Sequence, residues 1–226
     1  MVKFFAVVRP WPTSIVLLML VVTVFGLVST WLNPAELDSG LGMLLFVQML
    51  LASSGFATTA RRGHFDPVLV HGHDRVGALA AQWLASIAPG ALAWIAVSAA
   101  AWKLGNPSAL SALAGTRLAA FLIVSAGAWT TGFLLPRGSG GALWIGILVV
   151  LLLRHAEMLP AAGSDASAVG VARTAGTILL CPFLLLGAPA SIGSPAVAAA
   201  LAVAAAVLLA TWRAGARLDV FLVERS

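Results

Sequence analysis

The sequence predicts an all-α integral membrane protein with six transmembrane helices and a re-entrant helical element before the last span. Three observations carry that prediction. The first is composition: 61% of the 226 residues are hydrophobic, 9% are charged, and the mean hydropathy is +1.02. A soluble domain carries about 25% charged residues, so water cannot be the solvent for this surface. The second is the form of the apolar runs. Ile15 to Val28 is unbroken, without the period-two alternation of a membrane barrel. In lipid the backbone must satisfy its own polar groups, which leaves the helix. The third is the placement of charge in short connections between the runs, which is what a multi-pass topology requires.

Each span needs about 20 apolar residues to cross about 30 Å of hydrocarbon. Six stretches qualify within one transmembrane domain over 1–226: 13–32, 41–59, 76–102, 117–135, 141–159 and 195–212. Lys3 and Arg9 precede the first, but no small-x-small cleavage site follows, so it is expected to be a retained span. Val2 to Arg9, with Phe4 and Phe5, fits an interfacial segment.

The stretch 174–194 is apolar but interrupted by Pro182, Gly187, Pro189 and Gly193. Charge decides its reading. With a cytoplasmic N-terminus and no crossing here, Lys3, Arg9, Arg61, Arg62, Arg75, Arg137, Arg213, Arg217 and Arg225 lie inside, and Lys103, Arg117, Arg154 and Arg173 lie outside. If the stretch crossed, the last three arginines would move out, leaving six inside against seven. The positive-inside rule therefore predicts a re-entrant element, with both termini in the cytoplasm of a cell (inner or plasma) membrane. Tryptophans agree: Trp31 and Trp102 fall at outer ends, Trp11, Trp144 and Trp212 at inner ends, while Trp83, Trp94 and Trp129 lie deeper and are expected to pack between helices.

Several chemistries are excluded or unsupported. The sequence has no GxxxxGK followed by Ser or Thr, no HExxH and no GxSxG. The basic balance of +5 is explained by topology, so no nucleic-acid partner is expected. His64, His71 and His73 cluster with Asp66 and Asp74, but 71 and 73 would diverge on a helix; no metal site is expected. The single cysteine, Cys181, rules out an intrachain disulfide and fits a packing role. Arg117, Arg154, His155 and Glu157 sit near outer ends, where they can snorkel.

Deep in the spans only neutral polar groups occur: Gln48, Ser53, Ser54, Gln82, Ser86, Ser98, Ser125, Thr130 and Thr131. Without a buried acid, ion-driven transport has no candidate relay. Gln48, Ala52, Gly55 and Thr59 form one stripe, which either lines a pathway, together with Ser125, or serves close packing and an interhelical hydrogen bond. Pro89-Gly90 predicts a bend in span three, either static or part of a conformational cycle. Ala196, Ala200 and Ala204 share a face of the last span; they reflect either general alanine richness or an oligomer interface.

The connection between spans two and three reads Ala60-Arg61-Arg62-Gly63-His64-Phe65-Asp66-Pro67-Val68-Leu69-Val70-His71-Gly72-His73-Asp74-Arg75. It resembles the coupling loop of type-2 ABC exporter permeases: a charged run, Gly-Thr, an apolar residue, an acid, two apolar residues, a Pro-containing turn and a basic residue opening span three. Arg61, Arg62, Gly63, Phe65, Asp66, Val68, Leu69 and Arg75 fit the pattern. His64 stands for the usual Thr, Asp66 for Glu, Pro67 is additional, and His71-Gly72 replaces the Pro-containing turn. The six-span plan is similar across the chain, with a basic N-terminal helix, a tight inner turn between spans four and five (here Pro136 to Gly140) and re-entrant elements before the last span. The resemblance implies a permease subunit that forms a translocation path but has no enzymatic activity of its own. ATP and magnesium would be held by a separate cytoplasmic ABC ATPase subunit. It further implies pairing with a second permease copy, as homodimer or heterodimer, mainly through spans two and five, among membrane lipids. The alternative is a non-transporting membrane scaffold or assembly factor. A lipid-acting membrane enzyme is a third reading, for which only the 61–75 loop offers clustered polar groups. The substrate is not encoded in any motif.

Overall fold

A computed structural model describes residues 13–61, 75–135, 141–146, 167–186 and 195–217. All regular structure among them is helical. In chain order the helices are α1 (Thr13–Leu32), α2 (Leu37–Arg61), α3 (Arg75–Lys103), α4 (Ser108–Ala114), α5 (Thr116–Leu134), α6 (Ala168–Leu180) and α7 (Pro195–Arg217). Single 3₁₀ turns lie at Pro34–Glu36 and Pro182–Leu185, and residues 141–146 are helical. Five candidate spans are long and apolar enough to cross a membrane: α1, α2, α3, α4 with α5 taken together, and α7. The chain is therefore membrane-embedded.

The observed bounds follow local chemistry. α1 has the predicted span-one limits. Beyond Leu32, the Asn33 side-chain oxygen accepts from the Ala35 amide at 3.2 Å, turning the chain into α2. That turn starts α2 at Leu37, four residues before the predicted span two. After Lys103, Gly105 adopts φ 77°, a left-handed conformation that glycine enters without steric cost. Asn106 then accepts from the Ser108 amide at 2.9 Å and opens α4. The helix over span four thus begins well before residue 117, interrupted at Gly115. Ser167 caps α6 by accepting from the Gly170 amide at 3.1 Å.

The core lies between α2, α3 and α5. Leu41, Leu45, Met49, Leu51, Phe56, Leu79, Val97, Val124 and Trp129 are fully enclosed there. Trp94 and Trp129 are buried between helices, as the sequence predicts, and Trp83 is half-buried. α1 turns Leu17, Leu18, Leu20, Val21, Val24, Phe25 and Val28 outward, a lipid-facing surface on a helix packed along one side only. Its inner side comes close enough to α2 that a Cβ on Gly40 would stand 3.2 Å from the Gly26 Cα.

Contacts give the helix directions. Asp38 meets Arg117, Gln48 meets Ser125, and Ser53 meets Gly132, so α2 and α5 run parallel. α3 runs antiparallel to both, with Gly90 beside Gln48 and Gln82 beside Trp129. At one end of the bundle the beginning of α3 meets the end of α7: Arg75 Nη1 donates to the Ala216 carbonyl at 3.5 Å, and Gly215 lies against Leu79 and Phe133. This is the Arg75 end; the opposite one, where Asp38 pairs with Arg117, is the Asp38 end. Residues 141–146 start at the Arg75 end and run back along α5, with Gly141 beside Ser53 and the Trp144 indole over Gly127.

α6 is too short to cross, about 20 Å at 1.5 Å per residue. Its buried positions gather toward its end, at Ala175 and Ile178, and continue through Cys181, Pro182, Leu185 and Leu186. Leu186 touches Gly42 one turn inside the Asp38 end. Of the predicted elements, the N-terminal segment, residues 147–159 of span five, the 136–140 turn and residues 187–194 lie outside the described residues.

One expectation is corrected. Arg117 does not snorkel to the surface. It is 5% exposed and bound to Asp38, because α2 starts early enough to carry that carboxylate to it. The Ala196, Ala200 and Ala204 stripe is a close-packing face within the chain. Ala196 and Ala200 are buried and Ala204 is half-buried, so the small side chains bring α7 close to its own neighbours.

Candidate functional site

The candidate site is a polar seam along the contact of α2 with α5. Both helices are parallel in near-constant register, with partners 79 positions apart at Asp38–Arg117 and 77 apart at Gln48–Ser125. At the Asp38 end, Arg117 Nε and Nη2 donate to the two carboxylate oxygens of Asp38 at 2.6 and 2.9 Å. Arg117 Nη1 donates to Ser111 Oγ at 3.1 Å, and Ser111 in turn pairs with Thr116 at 3.1 Å. The planar guanidinium is thus held on three sides, the arrangement that makes arginine suited to a buried ion pair.

Midway along the seam, Gln48 Nε2 donates to Ser125 Oγ at 3.2 Å, and both side chains are fully buried. The Gln48 amide oxygen has no hydrogen-bond partner. It rests against α3 where Gly90 has no side chain; a Cβ at Gly90 would land on it. One turn beyond Ser53, residues Gly55 and Phe56 are also buried. Gly132 allows the Ser53 carbonyl to sit where a side chain would otherwise be, which sets the closeness of α2 and α5.

α3 closes the seam from a third side. Trp129 Nε1 donates to Gln82 Oε1 within the core. Trp94 Nε1 donates to the Ala112 carbonyl of α4 at 2.8 Å and packs on Phe121 with ring centroids 5.3 Å apart. Phe56, Trp129 and Phe133 form an aromatic cluster between Gln82 and the Arg75 end, with Trp129 and Phe133 stacked at 5.6 Å. Trp144 Nε1 donates to Thr131 Oγ1 at 2.8 Å, fastening residues 141–146 to α5.

The sequence-predicted site residues divide into two groups. Gln48 and Ser125 are brought together between α2 and α5, and Gly55 is buried two turns further along α2. Gln48 and Ser125 bond to each other across the helices, which is the interhelical alternative the stripe allowed. Thr59 lies on α2 beyond them, toward the Arg75 end. Of the coupling-loop residues, Arg61 ends α2 and Arg75 opens α3. Arg62, Gly63, Phe65, Asp66, Val68 and Leu69 lie outside the described residues, as do His64, His71, His73 and Asp74.

Asp38 and Gly132 escaped the sequence reading. Asp38 had a signal: predicted outer ends of spans two and four carry one acid and one base. Gly132 had none, because the closeness of two helices is not written in either one alone.

Beside the Asp38–Arg117 ion pair, the seam offers hydroxyls, amides and indoles. Among the described residues no three His, Cys, Asp or Glu side chains gather as a metal site. Besides Gln48 Oε1, the buried hydroxyls of Thr30, Ser98 and Thr130 have no partner. Such groups can orient or pass a neutral polar molecule or adjust between helix arrangements. They cannot act as general acids or bases near neutral pH. No protein-family model matches the chain, and neither a curated protein nor a solved structure matches it.

Proposed function

We propose that this chain is the membrane-spanning permease subunit of an ATP-driven, ABC-type exporter, which forms the translocation path and is moved by a separate cytoplasmic ATPase subunit. The observation that carries the reading is the convergence at the Arg75 end. α2 delivers the segment that resembles a coupling loop to that end, where α3 begins and α5 and α7 finish. A push on the 61–75 segment there would act on four helices at once. Force delivered mechanically needs no buried charge to relay protons, which agrees with a seam whose one ion pair, Asp38–Arg117, lies at its Asp38 end and whose middle is built from neutral groups.

The topology proposed is six spans with a re-entrant element, with the Arg75 end in the cytoplasm. Parity supports it. Residues 141–146 leave the Arg75 end along α5, and α7 returns to that end, so the intervening chain makes an odd number of net crossings. A crossing by 141–159 with a return by 174–194 satisfies parity and keeps nine basic residues inside against four outside. The short α6, with its buried end leading to Leu186 near the Asp38 end, suits an element that enters and leaves on one side.

A second copy of the chain, or a related permease, completes the proposed path. Within one chain two thirds of the α2 span is already enclosed, so the contact would use its remaining outward residues, such as Met43, together with span five.

The test is purification of the full-length protein from its native membrane in mild detergent. The expected result is a copurifying ATPase that is lost when Asp66→Lys and Arg75→Glu are introduced together. A wild-type complex without any nucleotide-hydrolysing partner would sink the reading. It would favour the alternative, a non-transporting scaffold or assembly factor. One observation leans that way: most polar groups of the seam bond to one another rather than line an opening.

A further inference from the structure

α3 is one continuous helix, yet its two halves belong to different neighbours. The half before Pro89 is fastened to α7 and the inner part of α5. Arg75 reaches the Ala216 carbonyl, Leu79 lies against Gly215, and Gln82 accepts from Trp129. The Trp83 and Trp212 rings meet edge-on with centroids 5.7 Å apart. The half after Gly90 is fastened to α1, α4 and the outer part of α5. Val97 fills the space beside Gly26, and Trp94 bonds to Ala112 and packs on Phe121. Pro89 sits at the division and brings no N–H to the helical hydrogen-bond ladder, which lowers the resistance to bending at that turn.

Gln48 faces this division from α2. It is fully buried, its amide nitrogen is committed to Ser125, and its amide oxygen lies unpartnered in the space left by the missing side chain of Gly90. A buried carbonyl oxygen without a donor disfavours the arrangement that strands it, most of all in a low-dielectric interior. That lifts the free energy of this helix angle toward that of a neighbouring one, at the place where α3 is weakest.

We propose that Pro89-Gly90 is a hinge about which the inner half of α3, together with α7, turns against its outer half, and that Gln48 is the latch that sets its angle. α2 and α5, to which α1 and α4 are fastened, form the spine against which the inner half turns. They are clamped to each other at Asp38–Arg117 and at Ser53–Gly132, on either side of the latch. The proposal stands apart from the exporter reading and needs no motor: the isolated chain samples both angles.

The test uses the full-length protein in lipid nanodiscs, with Cys181→Ala removing the single native thiol. Spin labels at Ile95→Cys and Leu209→Cys, both outward-facing, report the angle between the two halves. Labels at Leu84→Cys and Leu209→Cys report within the inner half and α7. The expected result is a two-component Ile95–Leu209 distance distribution that collapses to one component in Pro89→Ala and changes its ratio in Gln48→Leu. The Leu84–Leu209 distance stays constant throughout. A single Ile95–Leu209 component that is the same in all three proteins overturns the hinge, and so does an equal change in the control pair.

The latch has its own test. Gly90→Ala lowers the melting temperature by several degrees in the wild-type background and does not lower it in Gln48→Ala, because the three atoms nearest the added methyl group all belong to the glutamine. If the Gly90→Ala loss is the same with and without Gln48, the latch is overturned.

Discussion

The Asp38–Arg117 pair is asymmetric, and the asymmetry decides what each side chain is worth. The arginine side chain is 6% exposed and the aspartate 43%. Removing the acid strands a buried guanidinium with only Ser111 left to it, whereas removing the base leaves a carboxylate that water already reaches. Asp38→Ala should therefore cost about 3 kcal/mol of stability, the scale for breaking a buried pair. Arg117→Met, which keeps most of the stem's packing, should cost about 1 kcal/mol. Equilibrium unfolding of the purified variants in detergent checks the ratio; equal losses would mean that the pair is shared evenly. Gln48 poses the complementary case, a buried amide with one end bonded and one end not. The sequence marks it as an unusual residue in a span. Its partner, Ser125, is 77 positions away, so only the folded bundle specifies which role Gln48 takes.

At the scale of elements, helix faces sort lipid contact from protein contact. α7 shows the sorting among residues of one type. Ala200 is fully enclosed while Ala202 faces outward, although both are alanines in the same run. Enlarging the first should overpack the interface with α5 and α6 and cost about 2 kcal/mol. Enlarging the second exposes a longer apolar chain to lipid and should stay within about 0.5 kcal/mol of the parent. Melting temperatures of Ala200→Leu and Ala202→Leu measure the difference, and the reverse order would mean that α7 is rotated. The spacing of Ala196, Ala200 and Ala204 marks one face in the sequence, but not which neighbour that face meets. The existence of the helix is legible there, since α7 begins at the expected residue and continues only a few residues beyond the expected end.

For the whole molecule, direction is the main claim. The beginning of α3 and the end of α7 lie together, while the α1–α2 and α3–α4 connections lie at the far end. In a chain lacking Cys181, single cysteines at His71 and Ser226 should react with a membrane-impermeant maleimide from one side of the bilayer. Cysteines at Asn33 and Lys103 should react from the other. Labelling of His71 and Ser226 from opposite sides would contradict the parity of crossings. The α2–α5 spine is held together at Asp38–Arg117 and at Ser53–Gly132, so its two parallel helices are fastened at both places.

The amino-acid sequence by itself determined that the chain lives in a membrane as helices, and it located the starts and ends of most spans to within a few residues. Those properties depend on summed hydropathy and local turn chemistry, which act within 20 residues of chain. Only the tertiary structure decided which faces meet: that α2 and α5 run side by side in parallel, that Arg117 turns inward to Asp38, and that the alanine stripe of α7 packs against its own chain. The reason is that contacts between helices in lipid depend on shape at close approach, where Gly26, Gly90 and Gly132 matter through the atoms they admit. That information is distributed over residues far apart in sequence.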